Sequence, residues 1–276
     1  MSFIPDSVKP HIRRFGWTGV LAVGIVVVML AGINPITVLT GQVSPPPPPT
    51  SITGKPAATA PDEALLAYPP IVGGEAELMW RRAFRLTAIE YPDIKIAVVD
   101  DRTAFGCGLA GKDVTTFYCP DEGTVYVDLD AYKRLRQKFP LGADYAQALM
   151  VAEAYGGHVQ RVLGSLDDIA AARASASPEA EIMEMRVDMQ AACYAAMWTK
   201  TAGIEPLYDN PAVLAALAEV EANRDRSIIS ERTGAAIPEL VTAASFAGRK
   251  TWYDVGYAIP AGGNCGLDKI AAKGSQ

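Results

Sequence analysis

Apolar positions along the chain follow several patterns, and the first is unbroken. From Phe15 to Ile33 there are 19 consecutive residues without a charge, close to the roughly 20 that cross a hydrocarbon core as a helix. A membrane-spanning helix is expected at 15–33. Asn34-Pro35 ends it, and residues 41–62 are rich in Pro, Ser, Thr and Ala, with prolines at 45 to 49. A spacer is placed at 41–69, stiff where the prolines run and flexible and disordered elsewhere.

Helical spacing begins in residues 75–91, with Leu78, Met79, Ala83, Leu86 and Ile89 on one pattern, and 94–100 (IKIAVVD) reads as a strand. Val125, Val127 and Leu129 alternate as a second strand should. Cys107 and Cys119 flank a Gly-rich loop, which predicts a small sheet stapled by a disulfide, stabilising by about 3 kcal/mol on the loop-entropy account. From Ala131 to about 258 the pattern is helical, with breaks near 140–142, 175–178, 203–211 and 234–238. Residues 143–163 and 179–200 have the apolar character of buried core helices. The expected fold class is α+β, mainly α, with a small N-terminal sheet and one preceding transmembrane helix. Trp80, Trp198 and Trp252 are expected in the core.

Charge narrows the partners. The formal net charge is −6, and beyond residue 50 there remain 22 basic and 30 acidic residues, which argues against a nucleic-acid partner. Lys9, His11, Arg13 and Arg14 precede the apolar run and no Lys or Arg follows until Lys55. The positive-inside rule therefore puts residues 1–14 in the cytoplasm and the rest outside, as a single-pass cell-membrane protein. A cleaved signal peptide competes, but the run exceeds the usual apolar region of roughly 7–15 residues and no A-x-A site directly follows it. Four cysteines facing an oxidising compartment suggest two disulfides, and the globular part holds one imidazole, His158, since His11 lies before the span.

The run FYCPDEGTVYVDLDAYKRLRQKF, then DYAQALMVAEAYGGHVQRVLG, then RVDMQAACYA, resembles the bacterial neutral zinc metallopeptidase family over roughly residues 70–266. The resemblance implies a zincin-like helix pair and an extracytoplasmic domain, placed at 70–270. In that family the first motif reads H-E-Y-G-H-H-V-Q, whose two histidines hold zinc while the Glu activates water. Here it is E-A-Y-G-G-H-V-Q: Glu153 and Gly157 replace the metal histidines and Ala154 the base, while Tyr155, Gly156, His158, Val159 and Gln160 match. The second motif, E-L-Q-A-D-C, reads D-M-Q-A-A-C, so Asp188 replaces the third ligand and Ala192 a supporting carboxylate, while Gln190, Ala191 and Cys193 match. The third segment, PELVTAASFAGR from Pro238 to Arg249, has Ala243 where the family has His. The resemblance also implies a Cys193–Cys265 bridge.

These losses predict no bound zinc, no other cofactor and no catalytic residue. Glu153, His158 and Asp188 are the donors left for a remodelled site, and Glu153 and His158 point about 140° apart on a helix. His158 is expected to hydrogen-bond in the core. Glu153 needs a cleft or a cation, with Arg186 a candidate. No G-x-S-x-G nucleophile motif occurs. Three readings stand: a pseudopeptidase binding peptide or protein in the cell envelope, a residual hydrolase with an altered site, and a structural envelope protein.

Overall fold

The computed structural model describes residues 53–57, 59–85, 87–99, 115–175, 180–233, 239–259 and Cys265. The expected span at 15–33, the N-terminus at 1–14 and Cys107 lie outside these residues. Among the described residues no helix is long and apolar enough to cross a membrane.

Helix α1 (Asp62–Phe84) has Asp62 and Glu63 in its first turn and Arg81 and Arg82 in its last, the order that the helix dipole favours. It buries Leu65, Tyr68, Val72, Ala76 and Trp80, three or four residues apart as one helical face requires. The helix thus begins inside the stretch expected as spacer. Pro69 and Pro70 each delete an N–H from its ladder, and the buried face carries it through. It also stops at Phe84, short of the expected 91. There the Thr87 N–H and hydroxyl both donate to the Phe84 carbonyl, at 2.9 and 2.8 Å. Tyr91 leaves the helical path to pack on Phe84, with ring centroids 5.1 Å apart.

The sheet has the order β1-β3-β2, from β1 (Lys95–Val99), β2 (Thr116–Cys119) and β3 (Thr124–Asp128). β2, which falls in the stretch expected as a loop, pairs antiparallel with β3, Cys119 opposite Thr124, while the two expected strands, β1 and β3, run parallel with Lys95 opposite Thr124. β3, in the middle, is buried along its whole length. Asp128 ends it and caps α2 (Leu129–Lys138), its carboxylate accepting the Ala131 N–H at 2.8 Å.

The remaining helices are α3 (Ala143–Val162), α4 (Ser165–Ala174), α5 (Ala180–Thr201), α6 (Pro211–Thr233) and α7 (Glu239–Ala258), with a 3-10 turn at Leu207–Asp209. The fold is α+β and mainly helical. α3 is the central element, buried on nearly every side, with α1, α5 and the sheet packed around it. Trp80 and Trp198 are core residues, and Trp252 is half-buried at the edge of the same core. Cys193 on α5 is joined to Cys265. Cys119 is also in a disulfide.

Candidate functional site

Residues 153–160 occupy the C-terminal half of α3, and successive side chains there meet different neighbours. Toward α5 lies Gly156, where an added Cβ would stand 3.0 Å from Tyr194 Cβ and 3.4 Å from the Ala191 carbonyl oxygen. A side chain here would have to push the two helices apart by a few tenths of an ångström. One turn on, the Gln160 amide donates to the Val187 carbonyl at 2.6 Å and to Gln190 Oε1 at 3.1 Å, and Gln190 donates in turn to the Cys265 carbonyl at 3.3 Å. Toward α1, the Tyr155 ring covers Gly73, where a Cβ would fall 2.7 Å from the phenol oxygen. Burial raises the pKa of that phenol.

Toward the sheet, His158 is 3% exposed, its ring edge-on to Tyr91 with centroids 4.9 Å apart. Its Nε2 lies 3.2 Å from the Pro92 carbonyl and its Nδ1 lies 2.8 Å from the Tyr118 hydroxyl. A carbonyl can only accept, so Nε2 carries the proton and the phenol donates to Nδ1. That tautomer is neutral. Desolvation lowers the His158 pKa, with the Pro92 hydrogen bond opposing it, and burial pushes the Tyr118 phenol up to about 12.

The positions that depart from the family pattern have other surroundings. Glu153, Ala154 and Ala192 are buried. Gly157 is half-buried beneath the Tyr118 ring, and a Cβ there would stand 3.2 Å from Tyr118 Cδ1. Asp188, its side chain 36% exposed, is ion-paired with Arg249, which is itself 1% exposed. The same guanidinium holds the fully buried Glu221 at 2.9 Å through Nη1. One cation therefore binds α5, α6 and α7 together. Arg186, the sequence's candidate cation, is exposed. Ala243 falls on α7.

These residues do not match the donor set of the family's zinc. Positions 153, 154 and 157 supply one carboxylate and no imidazole, the nitrogens of His158 are turned to Tyr118 and Pro92, and Asp188 is held by Arg249. Among the described residues no group of three His, Cys, Asp or Glu could hold a metal ion. Sequence reasoning missed Arg249, Glu221 and Tyr118. For Arg249 a signal existed, because a guanidinium within an amphipathic helix needs a carboxylate wherever it is buried.

Residues 9–266 match the family described as "Putative neutral zinc metallopeptidase". The Escherichia coli (strain K12) "Uncharacterized protein YpfJ" is 26% identical over 258 residues, covering 92% of this chain and 88% of that protein. "Uncharacterized protein Mb2605" of Mycobacterium bovis is 35% identical over 164 residues, covering 55% of this chain and 54% of its own. "Uncharacterized protein Rv2575" of Mycobacterium tuberculosis matches over the same length at 35%. No solved structure matches. The chain belongs to the neutral zinc metallopeptidase family.

Proposed function

We propose that this member of the family is a pseudopeptidase: a chain anchored in the cell membrane by residues 15–33, its domain outside, that binds peptide or protein without hydrolysing it. The observation that carries the reading is the commitment of Asp188 to Arg249, in a site with neither imidazole at 153 and 157 nor a carboxylate at 154. A hydrolytic zinc site needs three protein donors and a base beside its water. The binding mode that fits is strand addition, because among the described residues β2 lies at an edge of the sheet, and its Tyr118 borders Gly157. A second reading, a structural envelope protein with a filled site, is favoured by the Tyr118 ring over Gly157 and by the burial of Glu153, Ala154 and Ala192.

Elemental analysis of the purified chain tests the loss of chemistry. Zinc far below one per chain is expected, and zinc near one per chain that disappears on substituting Asp188 would overturn the reading. The complementary experiment restores Glu153→His, Ala154→Glu, Gly157→His, Asp188→Glu and Ala192→Asp together. That variant should gain about 2.7 kcal/mol at free zinc 100-fold above Kd, read as a rise in Tm that the parent lacks. A folded revertant that binds no zinc would show that the helices no longer face each other as the family's do.

A further inference from the structure

We infer that residues 53–57 and 59–61 form a docked strap and that Asp144 is its fastening, so that the tether of this domain has two lengths. The segment lies within the stretch whose composition reads as flexible spacer, yet it is held at several points. Gly54, at φ +72, is turned against Ile71 of α1. Lys55 reaches Asp144 Oδ2 at 3.8 Å and lies over the Tyr145 ring at 5.3 Å. Pro56 is buried. The Ala57 carbonyl accepts from Arg136 Nη2 at 2.7 Å, and Ala60 packs against the core. At the junction with α1, Lys133 Nζ lies 2.6 Å from Asp62 Oδ2.

Asp144 organises this corner. Its side chain is 6% exposed and pairs with Arg136 Nε at 2.8 Å, and its Oδ1 accepts from Tyr132 at 2.7 Å. Its backbone carbonyl accepts from Tyr68 at 3.0 Å. It also stands in the first turn of α3, where a negative charge is favoured by the helix dipole. Arg136 therefore joins the strap to the carboxylate: one end of its guanidinium holds Ala57 and the other holds Asp144. The pull of whatever precedes residue 53 falls on the start of α3, roughly 14–21 Å along the helix from positions 153–158. Undocking would add nine residues to the tether, about 30 Å of reach at full extension.

The consequence for distance from a membrane rests on residues 15–33 being the anchor; the docking does not. Digestion of the full chain in detergent micelles by a broad-specificity protease, with the mass of the released domain measured over time, tests it. The parent should yield a domain beginning at or before residue 53. Gly54→Val puts a β-branched residue at a positive φ and a Cβ against Ile71 Cδ1 at 2.6 Å, disturbing the strap while leaving the groups that hold it. Cleavage within 55–61 should then rise about tenfold, following the population of the open form, and Arg136→Gln should do the same. Should Arg136→Gln fail to fold, Gly54→Val still decides. A parent domain beginning at Asp62 or later, or cleavage equally slow in a folded Gly54→Val chain, overturns the inference.

Discussion

The residues of α3 that keep the family's motif differ from those at 153, 154 and 157 in what they have to do. On the packed sides, Tyr155, Gly156, His158 and Gln160 each meet a specific neighbour: Gly73, Tyr194, Tyr118 and Gln190. Those residues are also the ones that keep the family's motif. At the altered positions stand Ala154 and Gly157, too small to hydrogen-bond through a side chain, and Glu153, although Glu153 and Ala154 are also buried and Gly157 lies under the Tyr118 ring. A motif can thus lose its reactive groups and keep its shape, because shape is enforced by backbone approach and buried hydrogen bonds that tolerate little change.

The comparison can be broken most forcefully at Arg249. Arg249→Met would leave Glu221 buried without its guanidinium, and such losses cost about 3–5 kcal/mol. Asp188→Asn, at the exposed end of the same network, should cost only about 0–1 kcal/mol because solvent screens it. Equilibrium denaturation of the two variants measures both. Equal losses would mean that the site side of the network carries as much stability as the packed side.

The adjacent glycines make a finer test. Gly156→Ala must drive α3 away from Tyr194 and should destabilise by about 1–3 kcal/mol. Gly157→Ala meets only a half-buried ring able to shift, and it gains up to about 1 kcal/mol of helix propensity, so its Tm should be unchanged or higher. Melting curves of the pair decide it, and a reversed order would place the tight seam at 157.

The smallest expected effect is a pH slope. Because desolvation lowers the His158 pKa in the folded chain, the unfolded chain takes up that proton first on acidification. The contribution is complete above the unfolded value of about 6.5 and is lost as the pH falls from there through the folded pKa. Tm measured between neutral and mildly acidic pH should therefore fall less in His158→Gln than in the parent.

Much of this was legible in the amino-acid sequence, for identifiable reasons. The helices α3 and α5 came out within a residue or two, since long apolar periodicity bounded by Gly, Pro and Ser is a strong signal. The parallel partnership of β1 with β3 was not, because pairing across a connection leaves no local pattern. The start of α1 was hidden by Pro69 and Pro70, and its end by Leu86 and Ile89, which continue the helical spacing beyond Phe84. In the site, the motif positions could be assigned by resemblance, whereas the Asp188–Arg249–Glu221 network joins single residues on three successive helices, too many positions apart for any local pattern to pair them.

The bridge from Cys193 to Cys265 spans 72 residues and encloses all of α6 and α7. In covalent terms this part of the chain is a ring. A single peptide-bond break anywhere inside it leaves both pieces attached, and α7 stays at high local concentration beside α5. A nicked molecule would therefore keep its native mass, apart from one added water, until reduced. Damage to this part of the domain would be visible only after a reductant opens the ring.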